Sequence, residues 1–161
     1  MTVDDLTEYG VEQMDDEAID AFLSSQRVGV LGLPAEGPPT MRPLSFAFDG
    51  ADGLYVLYVV GTGSRKRDLS DRADAARFLV YSAEAPFNWR SVLLTGTIDR
   101  VPDGEAATLG ESLSLPWQPD LLRAAAESEE TRLYRFDIDD RQGLRHAGLP
   151  EGFDAGDDGD E

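Results

Sequence analysis

The residues best suited to chemistry gather in one short segment, Gly61-Thr62-Gly63-Ser64-Arg65-Lys66, which follows an apolar run. Consecutive backbone N–H groups in a glycine loop at a helix start can converge on an anion. Ser64 adds a hydroxyl, Arg65 can pair bidentately with a phosphate, and Lys66 adds a mobile point charge. The segment is not a Walker loop, because Lys66 does not follow a Gly-x-x-x-x-Gly pattern. The segment therefore predicts a phosphate-binding loop of another kind, and the alternative is a solvated helix start.

The charge balance favours the phosphate interpretation. The chain has 32 acidic and 14 basic residues, a net charge of −18, and Lys66 is its only lysine. Such a surface repels nucleic acid and anionic lipid, so neither is an expected partner. Acidic residues spread along the whole chain are typical of a protein from a salt-rich cytoplasm. A protein-interaction module without a cofactor is the remaining alternative.

The length and composition predict one cytoplasmic domain. The 161 residues contain no cysteine, and no apolar run reaches the roughly 20 residues of a membrane helix. The N-terminus has no signal-peptide pattern. We assign residues 1–149 to the domain. Residues 150–161 form an acidic tail with five acids in its last eight positions, for which we predict disorder.

Strand patterns dominate the chain and predict a mostly β fold. Gly96 interrupts the longest strand and indicates a bulge. Asp15 is positioned to cap a short helix, and further helices are predicted at 65–74, 104–112 and 120–128. Because regular βαβ alternation is missing, we predict a six-stranded antiparallel closed or split β-barrel. The six predicted strands are Arg27–Leu33, Thr40–Phe48, Leu54–Val60, Ala76–Ser82, Trp89–Val101 and Thr131–Asp139.

Three motifs occur in an order that resembles a known family. They are Arg42-Pro43-Leu44-Ser45, the loop ending in Ser64-Arg65-Lys66 after a tyrosine-rich strand, and Trp89-Arg90-Ser91-Val92 leading to Gly96. Together they resemble the pyridoxamine 5′-phosphate oxidase family of FMN-binding split barrels. The resemblance is clear from Ala18 to Val101 and looser in the final strand.

The resemblance implies an FMN-dependent oxidoreductase that works as a homodimer with the cofactor at the interface. In that picture Ser64, Arg65 and Lys66 hold the phosphate. The flavin is flanked by Arg42, Pro43, Leu44, Ser45, Tyr58 and Val59, and Trp89, Arg90 and Ser91 come from the partner chain. Some relatives bind F420 or heme in place of FMN. The alternative is therefore a non-catalytic module that binds or senses flavin, F420 or heme. The identity of the small-molecule substrate stays open. The C-terminal segment lacks the Trp and the Arg-Leu-x-Pro pattern of the family members that act on a form of vitamin B6.

Other candidate sites receive less support from the sequence. His146 is the only histidine, and we expect a surface or capping role, with a heme ligand or substrate contact as the alternative. No metal site is predicted, because neither cysteines nor further histidines are present and the acidic pairs lack EF-hand spacing. A serine triad is equally unsupported, since no nucleophile elbow surrounds Ser45, Ser64 or Ser91. The catalytic residues therefore stay unassigned.

Overall fold

The computed structural model describes residues 10–59, 72–102, 105 and 131–148. Within them the chain forms seven strands and one helix of three turns. In chain order these are β1 (Val11–Met14), α1 (Asp16–Ser25), β2 (Val28–Leu33), β3 (Thr40–Phe48), β4 (Gly53–Val59), β5 (Arg72–Ala85), β6 (Asn88–Arg100) and β7 (Thr131–Ala147). No helix of the described part is long and apolar enough to cross a membrane.

Six of the strands close into an antiparallel barrel, as the sequence predicts. The hydrogen-bonded order is β1-β7-β4-β3-β2-β5-β6, and an additional β7–β6 pairing closes the cylinder. Closure gives each of these six strands a neighbour on both sides, which leaves little open edge for aggregation. β7 is long enough to pair with β6 on one edge and with both β4 and β1 on the other. β3 and β6 therefore lie on opposite sides of the barrel.

The barrel interior is filled by alternate residues of each strand, as a period of two requires. Along β6, Val92, Leu94 and Ile98 are buried, while the residues between them are half-buried. Three phenylalanines from different strands meet at the centre. The rings of Phe46 and Phe78 pack edge to face at 5.4 Å between centroids, and Phe136 lies 6.1 Å from Phe78.

Helix α1 contributes its apolar side to this core. Asp15 caps it, because its carboxylate accepts a hydrogen bond from the Ala18 N–H at 2.8 Å. Ile19, Phe22 and Leu23 fall on one face of the helix and are all buried. Residues 16 and 17 are acidic and complement the positive end of the helix dipole. The cap and buried face predicted from the sequence are confirmed.

A bulge in the β6–β7 ladder occurs at the glycine that the sequence singles out. Thr95 pairs with Asp140, but the next residue, Gly96, pairs with Ile138, so β7 contains one extra residue. A Cβ atom on Gly96 would lie 1.9 Å from the carbonyl oxygen of Asp137. The close approach of the two backbones therefore requires glycine at this position.

Most strand predictions are confirmed, and the errors have physical causes. β1 was not predicted, because a strand of only four residues is too short to show a clear alternation of apolar and polar residues. β5 begins at Arg72, so the predicted helix 65–74 is wrong over residues 72–74. β7 runs to Ala147 rather than Asp139, because the extra residue at the bulge breaks the alternation there. Glu105 is helical, as predicted, but the rest of helix 104–112, helix 120–128 and the acidic tail lie outside the described residues, and the domain limits stay a prediction.

An outer network ties the β3–β4 hairpin to β7. The guanidinium of Arg135 donates to Asp137 at 2.6 Å and to the hydroxyl of Tyr55, and it stacks on the Tyr55 ring. Burial acts to lower the pKa of Arg135, but these hydrogen bonds outweigh it and raise the pKa above its usual value. The arginine therefore stays charged at any pH at which the protein is folded.

A second arginine, Arg141, joins three elements. It pairs with Asp20 of α1 and donates to the carbonyl of Ala51 at 2.8 Å, and Asp52 lies 3.5 Å away. Its side chain is only 18% exposed. Because the contacts join α1, β7 and the β3–β4 turn, they hold the helix over the barrel.

We expect Arg141→Met to lower the free energy of unfolding by about 1–3 kcal/mol, since charge-assisted hydrogen bonds are lost and Asp20 loses its partner. Urea denaturation measures the change. Arg27→Met is the matched control, because Arg27 is exposed and reaches only the main-chain oxygens of Ser24 and Gln26. Equal stability of the two variants would contradict the assigned role of Arg141.

Candidate functional site

The barrel wall opens between β3 and β4. The register joins these strands only over three residue pairs, from Phe46–Val56 to Phe48–Leu54. Both strands continue beyond this ladder: β3 starts at Thr40 and pairs only with β2 there, and β4 ends at Val59 and pairs with β7. Over residues 40–45 the β4-facing edge of β3 has no strand partner among the described residues. We call this gap the β3–β4 opening.

Backbone polar groups of β3 face this opening. Phe46 donates its N–H to the carbonyl of Arg27, on the β2 side. Because successive residues of an antiparallel strand direct their N–H and C=O groups to opposite edges, those of Ser45 and Pro43 point toward the opening. A proline is tolerated within a strand where its missing N–H faces an unpaired edge. The opening therefore presents an N–H and two carbonyl oxygens to a ligand.

The four residues predicted from β3 divide between two faces. The side chains of Pro43 and Ser45 are exposed on the outside of the barrel. Leu44 packs against the hydrophobic core, and Arg42 is half-buried on the same side of the strand as Leu44. A ligand in the opening would thus meet Pro43 and Ser45 by their side chains and backbone polar groups, whereas the backbone groups of Arg42 and Leu44 point to β2.

The predicted β4 residues lie at the far end of that strand. Tyr58 and Val59 pair with Arg132 and Thr131 of β7, and the next residues enter the segment 60–71. Ser64, Arg65 and Lys66 belong to this segment and lie outside the described residues. Since β4 ends at Val59, the segment 60–71, for which the sequence predicts phosphate binding, follows directly on the end of β4.

Trp89, Arg90 and Ser91 do not reach the opening in their own chain. They lie on β6, which is three strands from β3 in either direction around the barrel. At about 4.8 Å per strand, that is a separation of ~14 Å. Ser91 pairs with Tyr81 and faces outward, whereas Arg90 points toward α1, where its guanidinium carbon lies 4.8 Å from the Phe22 ring centroid.

An apolar face on the outside of the barrel extends from β3, at the opening, to β6. It is formed by outward-facing residues of β3, β2, β5 and β6, namely Met41, Pro43, Val28, Val30, Leu79, Tyr81 and Leu93. Met41 is 64% exposed, Tyr81 59% and Val28 55%. A groove of about 540 Å³ runs along this face, beside the loop at Pro34 and Pro39. Contiguous apolar surface of this kind is typical of an interface.

His146 is buried, which corrects the expectation of a surface residue. Only 4% of it is exposed, and its Nδ1 lies 2.6 Å from the carbonyl oxygen of Phe87. Its ring stacks on Trp89 with centroids 5.8 Å apart. The burial of His146 was not predicted, because β7 was predicted to end at Asp139 and His146 lies beyond that residue. Within the described residues, no three metal-ligating side chains gather in one place.

The comparison with protein families decides the identity of the fold. A sequence model described as pyridoxamine 5′-phosphate oxidase matches residues 15–145. The chain belongs to the pyridoxamine 5′-phosphate oxidase family. The match includes β3, the 60–71 segment and β6, so it spans every motif on which the resemblance depends. No protein of curated function matches the sequence significantly.

Solved structures share the fold of this pyridoxamine 5′-phosphate oxidase family member. An FAD-binding protein from Mesorhizobium loti is 20% identical, with a TM-score of 0.62 over 85% of this chain and 99% of its own. An FAD and heme binding protein from Mycobacterium smegmatis is 21% identical, with a TM-score of 0.62 over 88% and 76%. A flavocytochrome from Azotobacter vinelandii is 18% identical, with a TM-score of 0.59 over 88% and 71%.

Proposed function

We propose that this protein is a flavin-dependent oxidoreductase that binds its cofactor in the β3–β4 opening. The observation that carries the proposal is the unpaired edge of β3 beside the end of β4, where the chain enters the segment containing Ser64, Arg65 and Lys66. Family membership and the flavin-binding proteins among its structural neighbours support the same ligand class.

The residues at the opening fit a flavin. One edge of an isoalloxazine ring carries carbonyl oxygens and an N–H, and the β3 edge offers the complementary N–H of Ser45 and the carbonyls of Ser45 and Pro43. The flat ring itself needs apolar contact, which the outer face provides through Pro43 and Val28. The phosphate would be held by Ser64, Arg65 and Lys66. Arg42 and Leu44 direct their backbone groups to β2, so they would only shape this part of the opening, and Tyr58 and Val59 would line its β4 side.

A homodimer completes this proposed site. Trp89 and Ser91 lie too far from the opening in their own chain, so they contact the cofactor only from a second copy. The apolar outer face supplies the surface through which two copies would associate, because its exposed side chains gain from being removed from water. Arg90 faces α1, and only its main chain is available to that interface.

The chemistry proposed is hydride or electron transfer, which bound flavin supplies and the protein orients. We propose FMN as the cofactor, with FAD raised by the structural neighbours and F420 or heme as further alternatives. A non-catalytic flavin, F420 or heme binding module is the second candidate. It is favoured by two of the structural neighbours, which are described as an FAD-binding protein and as an FAD and heme binding protein.

Turnover separates the two candidates. An oxidoreductase loaded with flavin should be reduced by NADH or NADPH and reoxidised by an acceptor over many cycles, which absorbance follows directly. A binding module should hold the flavin with no reduction by either nucleotide. Cytoplasmic location is part of the proposal, because both reductants are abundant there.

We expect Lys66→Ala to weaken FMN binding by about 1–3 kcal/mol, since one charge-assisted hydrogen bond to the phosphate is lost. The dissociation constant should therefore rise by about 5- to 150-fold in a fluorescence titration at low salt. Arg27→Ala is the matched control, because it removes one positive charge from an exposed position near α1. An unchanged FMN affinity in Lys66→Ala would contradict the assignment of the loop.

A further inference from the structure

A row of charged residues crosses the barrel end beside α1. Neighbouring strands place Glu12 of β1 opposite Arg145 of β7, and Arg145 opposite Arg90 of β6. Two arginines directly opposite each other in a sheet repel, and such pairs are normally avoided. Because the chain has a net charge of −18, two adjacent cations on one sheet face stand out. A bound anion would offset the repulsion between them.

Acidic side chains do not neutralise both of these arginines. Arg145 pairs with Glu12 at 2.7 Å, but the two side chains are 53% and 63% exposed, so the pair contributes little and is easily exchanged. Among the described residues, no carboxylate pairs with Arg90. Its guanidinium instead rests on the ring of the buried Phe22, which fixes its position without consuming its hydrogen-bond donors.

A cavity of about 520 Å³ is lined by both Arg90 and Arg145. About half of its wall is apolar and is formed by Met14 and by the α1 residues Ala18, Ala21 and Phe22. Gln13, Ser25 and the two arginines contribute to the polar half. Asp15 also lines it, but its carboxylate is engaged in capping α1. A smaller cavity on the other side of the arginines contains Glu84, which would repel an anion. The larger cavity is therefore the one suited to an anionic ligand.

We propose that Arg90 and Arg145 form a binding site for a small carboxylate with an apolar body. The carboxylate would lie between the guanidinium groups, which match its planar geometry. Its apolar part would pack in the cavity beside α1. The site lies at the β6–β7 pair, two strand pairs around the barrel from the β3–β4 pair. Because it depends only on Arg90, Arg145 and the cavity beside α1, it does not rest on the proposed flavin function.

Benzoate and its neutral isostere benzamide test this site on the purified full-length protein. Calorimetric or NMR titration should show benzoate binding at least about tenfold more tightly than benzamide, because only benzoate offers a charged partner to the arginines. Inorganic phosphate, which has no apolar body, should bind more weakly than benzoate. Equal affinity for benzoate and benzamide, no benzoate binding, or phosphate binding as tightly as benzoate would each overturn the proposal.

Variants assign the binding to the two arginines. Arg90→Gln and Arg145→Gln should each weaken benzoate binding at least about fivefold, and Arg90→Lys should retain an intermediate affinity. Arg27→Gln is the control, because Arg27 is exposed, does not line the cavity and reaches only the main-chain oxygens of Ser24 and Gln26 among the described residues. Unfolding midpoints within a few degrees of the native protein establish that the variants fold. Native-like benzoate affinity in folded Arg90→Gln would overturn the assignment, whatever its FMN affinity.

Discussion

Replacement of Gly96 by alanine is expected to destabilise the protein by about 3 kcal/mol or more, a large fraction of the stability of a typical domain. The added Cβ atom would lie 1.9 Å from the Asp137 carbonyl oxygen and 3.1 Å from the Phe136 ring. Neither contact can be relieved by turning a flexible side chain, because the first is to backbone and Phe136 is fully buried. Strands β6 and β7 would have to separate at the bulge.

Denaturation in urea measures this loss, and Gly32→Ala is the matched control. Gly32 also lies within a strand, but a Cβ atom there would meet Arg77 at 3.7 Å, an ordinary contact. We expect Gly32→Ala to change the free energy of unfolding by less than about 1 kcal/mol. If the two variants were equally stable, the β6–β7 bulge would not have the close backbone approach assigned to it.

If the protein forms the proposed homodimer, the charged substitution Leu79→Glu is expected to dissociate it and thereby to abolish the proposed flavin binding. Leu79 lies at the middle of the outer face, between Val30 and Leu93. A carboxylate there would be buried without a partner at the interface of two copies, which costs at least about 2 kcal/mol. The dimer dissociation constant should rise by at least about thirtyfold. Because the side chain points away from the core, the monomer should stay folded.

Sedimentation analysis and an FMN titration on the same sample measure both effects. Leu79→Met keeps the apolar volume and should leave the dimer and the FMN affinity intact. Ser24→Glu adds the same charge at an exposed position on α1 and should also have no effect. A folded Leu79→Glu variant that stays dimeric would contradict the assignment of the outer face to the interface.

The strands were largely predictable because their signal is local. Alternation identified β3 to the residue, and strong β-formers identified β4 within one residue at each end. The bulge at Gly96 was predictable for a similar reason, since an isolated glycine in a strand marks a close backbone approach. The cap of α1 required only Asp15 and the spacing of three apolar residues.

The features that escaped prediction depend on contacts between distant segments. The β3–β4 opening arises where the pairing of two strands ends, and no residue type in either strand predicts where it ends. The burial of His146 depends on β6 and on the β5–β6 turn, about 60 residues earlier in the chain. The pairing of Arg90 with Arg145 depends on the register of β6 and β7, which the extra residue at the bulge shifts by one. Short-range patterns contain none of this information.

Flavin binding at the β3–β4 opening is tested most directly on the protein as it is purified. An absorbance spectrum, with mass spectrometry of any released ligand, should show the two bands of oxidised flavin and the mass of FMN. Protein purified without cofactor should bind added FMN with a stoichiometry of one per chain. A colourless protein that binds neither FMN nor FAD when titrated to saturating concentrations would contradict the proposed function.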